Sequence, residues 1–445
     1  MQLEKALELT KATGDQYQVI RVLQLLSTVS VLEGHIAQAQ QQAAEAIQLA
    51  RNNGIENQAT SGLIFLGNAF LWRGDYSDAE KYYQQGLELA QRDKLRVSEA
   101  WALTQLGSLR SLQHKTDEAL HYCEKALVFY QEGGYRKWLS LTLPILGRSY
   151  RDRGDYDAAL NAFKQLHQLG EQLGDQAQTG LADVDIGNVL SYEEQYSEAL
   201  RHFDESYRIF KSLNADSYIA YAAQNRASVL WQLGRAEDAK AALDEAASIV
   251  ERRQDTNKQL LAYVYLTNSF LELSDGHIAE SKAKSRKALD LAGNQYVDVA
   301  VQAKRTLALA QARSGSARSA RLLCEDAVNI AAGTGDPQLL SGSNLSLSET
   351  MLAEGELQSA LDTALRAQES FARYGKSESE WRALLIAAEA SQRLGNTTAA
   401  HEYSSRAVAR LSDLEQKWGS EAYNGYLARS DITHFRNQLD QLLKP

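Results

Sequence analysis

Along the chain, apolar and polar residues follow the pattern of a helical hairpin. In Leu66 to Ala90, LGNAFLWRGDYSDAEKYYQQGLELA, small and apolar residues fall three and four apart, pause at Arg73-Gly74-Asp75, and resume in a second stretch. That spacing puts them on one face of an α-helix, so the segment predicts helix, tight turn and helix. Steps of 40 residues find the pattern ten times. The slot of Gly67 recurs as Ser27, Gly107, Gly147, Gly187, Ala227, Thr267, Ala308, Ser348 and Ala388, and that of Ala79 as Ala39, Ala119, Ala159, Ala199, Ala239, Ser281, Ala320, Ala360 and Ala400. A size limit repeated at fixed positions marks places where two helix backbones approach closely. The turn slot holds glycine at Gly34, Gly74, Gly154, Gly234, Gly276, Gly315, Gly355 and Gly395, where a left-handed residue ends the first helix. His114 and Glu194 replace it in two units, which predicts looser or slightly strained turns.

The order small residue, glycine, aromatic, alanine, aromatic, as in Gly67, Gly74, Tyr76, Ala79, Tyr83 and Gly86, resembles the tetratricopeptide repeat (TPR). The 40-residue length is similar to that of the repeats in kinesin light chains, the LGN group of adaptors and the sensor regions of MalT-like bacterial regulators. The resemblance implies an all-α fold, a right-handed TPR superhelix of about ten helical hairpins, that binds proteins or peptides on its concave face.

Taken in order, residues 1–15 read as the second helix of an incomplete leading repeat, residues 16–412 as ten TPR units, and residues 413–445 as an extension with a capping helix. The opening in mid-repeat leaves two readings, a cut from a longer protein or a lone opening helix, and the cut is preferred because it explains the bare apolar edge. Pro144 inside a first helix predicts a kink. Two extra residues in Leu273-Ser274-Asp275 predict a longer turn in the seventh repeat, and Asp336-Pro337 predicts an N-cap with proline at the first helical position. The serines Ser341, Ser343, Ser346 and Ser348 read as small packing residues. A final helix bearing Ile432, Phe435, Leu439 and Leu442 is expected to cover the last repeat. The closing segment LEQKWGSEAYNGYLARSDITHFRNQLDQLL resembles the end of TPR arrays in bacterial multidomain signalling proteins, which implies an upstream effector domain.

Composition narrows the function more than the fold. A net charge of -10 argues against a general nucleic-acid or anionic-membrane surface, and no run approaches the ~20 apolar residues of a membrane span. Cys123 and Cys324 lie too many repeats apart to pair, which fits a reducing cytoplasmic location. No phosphate loop, dinucleotide, zinc-protease or nucleophile-elbow motif occurs. His121 and Cys123, two apart on a helix, point away from each other and cannot share a metal. No enzyme activity, cofactor or metal is therefore expected.

The informative residues are those that packing does not require. In the family the first helix of each unit lines the groove, which by resemblance makes Asn68, Trp72, Ser108, Arg148, Arg151, Asn188, Tyr192, Gln224, Trp231, Asn268, Arg305 and Arg313 the candidate peptide-binding residues. The asparagines resemble those with which TPR adaptors hold a peptide main chain, because an amide both donates and accepts. Arg148 and Arg151 sit one turn apart and are expected to share one acidic partner side chain. Trp72, Tyr192 and Trp231 offer flat apolar anchors. Gln302, Arg305, Arg313, Arg382, Gln392 and Arg393 make the second half of the groove basic, so an acidic segment is the expected partner. The leading reading is a non-catalytic protein- or peptide-binding scaffold, the sensor or adaptor part of a larger bacterial signalling protein. The alternatives are a MalT-like module that senses a small molecule and a homo-oligomerising scaffold.

Overall fold

A computed structural model describes residues 2–252 and 258–444. Among them are 23 helices and no strand. From Gln16–Leu32 and Ile36–Asn52 onward the helices alternate as first and second members of a pair, 15 to 18 residues long until Thr397–Trp418, which has 22. The fold class is all-α, a solenoid of stacked helical hairpins. Neighbouring first helices also touch, Gln16–Leu32 against Glu56–Arg73 and Asp216–Gln232 against Lys258–Ser274, so the first helices form the inner layer. The contacts divide the chain into two compact units, Met1–Tyr150 and Arg151–Pro445.

The small slots are explained by what fills the space above them. A methyl group on Gly67 would lie 2.6 Å from the Tyr83 ring, and one on Gly187 would lie 2.7 Å from the Phe203 ring. On Gly107 it would collide with Cys123 Sγ. Each aromatic or thiol on the second helix therefore fills the volume that the first helix vacates, at the density of a protein interior. Both cysteines are buried and unpaired, and burial pushes each thiol up to about 12.

Helix ends follow local chemistry. Asp336 accepts from the backbone N–H groups of Gln338 and Leu339, with Pro337 at the first helical position. Gly74 ends its helix in the left-handed region at φ +85°. His114 and Glu194 adopt the same region at φ +57° and +59°. Their turns keep the glycine geometry under strain and are not loosened. The helix Arg136–Arg153 runs through Pro144 without a break.

The expected longer turn of the seventh repeat is absent. The first helix runs on to Ser274, two residues beyond the slot of Gln232, and the connection 275–277 is as long as 233–235. The connection between the sixth and seventh repeats lies outside the described residues. Ser341, Ser343, Ser346 and Ser348 are buried among packed helices. Ile432, Phe435 and Leu439 pack on Trp381, Leu384, Leu411 and Tyr426, so the last helix, Ser430–Leu442, covers the final hairpin.

Candidate functional site

In the unit Met1–Tyr150 the inner layer presents apolar side chains that packing leaves exposed. Leu32, Trp72 and Leu112 occupy one slot at steps of 40 residues and are 50%, 66% and 51% exposed. One helical turn away from Thr28 and Asn68, Leu25 and Phe65 are also exposed. A groove of about 440 Å³ runs beside them, lined by Tyr17, Arg21, Leu25, Phe65, Trp101 and Trp138. Its wall is a chain of rings, Phe65 edge-on to Trp101 at 5.3 Å and Trp101 against Trp138 at 5.5 Å. Asn68 and Ser108 sit half-buried on this layer, and Arg148 is exposed. The amide oxygen of Asn68 is already taken, since the Tyr83 hydroxyl donates to it at 2.6 Å.

In the unit Arg151–Pro445 the inner layer surrounds a cavity of about 350 Å³. Tyr192, Trp231, Arg305 and Arg313 all line it, together with Lys376 and Arg429. Gln224 does not. It is buried and donates to the Thr267 hydroxyl at 3.0 Å, because it occupies the core slot filled elsewhere by Ile64 and Val184. The Asn268 amide oxygen accepts from Lys284 at 2.6 Å, which ties it to its own hairpin. Asn188 is half-buried.

The expectation that Arg151 joins Arg148 in reading one acidic side chain is revised. Arg151 places two donors on Asp152 Oδ1, at 2.9 and 2.7 Å, and its guanidinium lies over the Tyr192 ring at 5.3 Å. Arg313 likewise donates to the Leu273 carbonyl at 2.9 Å, and Arg393 to that of Leu352 at 2.9 Å. These arginines tie the end of one first helix to the next and are not free for a ligand. Arg382 spans Glu349 at 3.2 Å and the Phe435 ring at 3.7 Å.

The closing segment enters this site, which the sequence did not indicate. Besides covering the last hairpin, it crosses to helices some two hundred residues earlier. Arg429 stacks over Trp231 at 4.0 Å, donates to Gln232 Oε1 at 2.8 Å and grips Asp431 with two nitrogens. Asp431 accepts from Ser274 at 2.9 Å, the last residue of the first helix that the two extra residues of the seventh repeat lengthen. Burial opposes the Asp431 charge, yet Arg429 holds its carboxyl below the ordinary value. Gly425 and Gly234 touch backbone to backbone, and any side chain on Gly425 would strike the Leu233 carbonyl.

A second anchor is Glu194, the residue in the left-handed turn. Its backbone carbonyl accepts from Trp418 Nε1 at 2.6 Å, and its carboxylate accepts from the Glu378 N–H at 3.2 Å, capping the helix Ser377–Arg393 from a distant hairpin. Burial first, and then the Glu378 carboxylate, push the Glu194 carboxyl upward, against Lys417 and Lys376. The signal for this was a glutamate where eight units carry glycine.

No group of three or more potential metal-ligating side chains occurs among the described residues, and none of their helices is long and apolar enough to cross a membrane. A family model described as Tetratricopeptide repeat matches residues 59–132 and 139–212, and another of that description matches residues 220–249. A transcriptional activator of Geobacillus stearothermophilus, NprA, is 25% identical over 131 residues, 28% of this chain and 32% of that protein. The chain thus spans about a third of the length of this curated relative. Among solved structures, a Rap protein complexed with competence and sporulation factor aligns at TM-score 0.60 with 15% identity, covering 81% of this chain and 99% of that one. The Rap conjugation regulator of plasmid pLS20, in complex with the Phr* peptide, aligns at 0.55 with 14% identity, covering 79% and 96%. Residues 59–132, 139–212 and 220–249 thus match tetratricopeptide repeats, and helical hairpins of the same size continue through the rest of the described residues.

Proposed function

We propose that this chain is a non-catalytic scaffold that holds a partner's peptide segment on the inner layer of Met1–Tyr150, as the sensor or adaptor part of a bacterial signalling protein. The observation that carries the reading is the exposed series Leu32, Trp72 and Leu112 on the same three helices whose Leu25, Phe65 and Trp101 line the ring-walled groove. Helix packing does not require large apolar side chains in water, and a contiguous patch of them is the usual mark of a binding surface. Trp72, Phe65 and Trp101 give rigid anchors, Asn68 and Ser108 polar contacts between them, and Arg21 and Arg148 a preference for acidic side chains. The sequence likeness to a transcriptional activator and the complexes of two Rap neighbours, one with competence and sporulation factor and one with the Phr* peptide, support the signalling part of the reading.

A phage-displayed random-peptide library panned on the full chain tests it. Peptides enriched on wild type should be lost on the double variant Phe65→Glu and Trp72→Glu. They should be kept on Val128→Glu, which removes an exposed apolar residue from a second helix. Equal retention on all three would remove the assignment.

A further inference from the structure

We propose that the cavity of the unit Arg151–Pro445 binds a carboxylate carried on an apolar body, with Arg305 as the contact for the charged group. The site is distinct from the peptide surface above and does not depend on it.

The inference starts from the slot. Three residues before the small position five repeats carry Ile64, Val184, Val264, Leu345 and Leu385, and the others carry Gln24, Thr104, Pro144 and Gln224, uncharged residues that are buried except for the half-buried Pro144 and Leu345. The eighth repeat puts Arg305 there, half-buried. A guanidinium drawn partly out of water gains from a counter-charge that meets it. Among the described residues Arg305 has no carboxylate within ion-pair distance, and its one hydrogen bond is from Nε to the Ser346 hydroxyl at 3.2 Å. Its two terminal nitrogens lie over Gly342, where a methyl group would sit 2.6 and 2.8 Å from them. The absence of a side chain at 342 makes the room for the guanidinium, and Arg305 and Gly342 both line the cavity. Burial without a counter-charge pulls the Arg305 pKa down to about 10, still charged at neutral pH.

Two further donors on the same cavity are unmet. Trp231 Nε1 and Lys376 Nζ are buried without a hydrogen-bond partner. The other cations are engaged, Arg429 by Asp431, Arg382 by Glu349 and Arg313 by the Leu273 carbonyl. The unmet capacity is therefore for an acceptor, and a negative one. Phe270, Leu309, Leu345 and Phe371 supply the apolar wall, so the complementary molecule has one anionic end and an apolar body. A planar, two-donor guanidinium matches the two oxygens of a carboxylate.

The test is calorimetric titration of the full chain with N-acetyl-phenylalanyl-leucine, its C-terminal amide, octanoate and inorganic phosphate. A free acid should bind while the amide does not, and Arg305→Gln should weaken the acid at least about ten-fold, as loss of a charged contact does. The tighter of the two acids identifies a peptide end or an alkyl chain as the source of the carboxylate. Gly342→Ala, which pushes the guanidinium aside, should weaken it in the same direction. If Arg305→Gln loses helicity, the acid-against-amide comparison on wild type decides alone. Equal binding of acid and amide, no binding of either acid, or tighter binding of phosphate than of both acids would each overturn the proposal.

Discussion

At the scale of single residues, the repeated size limits are pairwise fits between one first-helix slot and one second-helix side chain. Gly107 and Cys123 show this most directly. Gly107→Ala should destabilise the chain by about 1–3 kcal/mol through overpacking. Combining it with Cys123→Ala should cost less than the sum of the two, because the second change removes the atom that the first strikes. Urea titrations of the three variants measure the coupling, and strict additivity would mean that the slot is set by something other than Cys123. The left-handed turns offer the opposite case. His114→Gly should stabilise by about 0.5–1 kcal/mol, the relief of an unfavourable φ less the added freedom of the unfolded chain. The small slots were legible in the sequence because each recurs with its partner at a fixed distance. The roles of Asn68 and Gln224 were not. Whether an amide faces a groove or its own hairpin depends on a neighbour such as Tyr83 or Thr267 that periodicity does not name.

At the scale of elements, the closing segment is the part that does two jobs. Its last helix covers the final hairpin with Ile432, Phe435 and Leu439, a face readable from the three-and-four spacing. The short helix Ser420–Leu427 and the residues around it reach back to Leu233 and Gly234, and nothing in the pattern announces that. Gly425→Ala should therefore detach this crossing at a cost of about 1–3 kcal/mol, since the obstacle is a backbone carbonyl that cannot swing aside. Hydrogen exchange should rise across Ser420–Leu427 while the helix Ser377–Arg393 stays protected. Loss of protection in both would mean that cap and crossing are one cooperative piece.

At the scale of the whole molecule, the two units make different use of the same repeat. Met1–Tyr150 leaves its inner layer apolar and exposed, whereas Arg151–Pro445 lines its inner layer with arginines and walls it with its own closing segment. Glu194 links that second arrangement to pH. Its folded-state pKa is raised, so the protonated form is favoured in the fold, and the associated stability is full below the ordinary carboxylate value of about 4.3 and lost as pH rises toward neutrality. Glu194→Gln keeps an acceptor for the Glu378 N–H without the titration. The melting temperature of wild type relative to this variant should fall as pH rises from about 4 to 7.5. A constant difference would show that the carboxyl keeps its ordinary pKa.

The sequence by itself determined the repeat. Helix period, turn residues and small slots are local or nearest-neighbour constraints, and a fold built from neighbour contacts writes them at every step. Only the tertiary structure decided which polar residues are spent inside the protein and which face the interior spaces. Arg151 meets the Tyr192 ring, and Arg313 and Gln224 meet their partners, across packed helices, and Glu194 and Trp231 meet theirs in a segment some two hundred residues later in the chain. Contacts of that range obey no period, because they depend on how the accumulated turn of successive hairpins brings distant ones together.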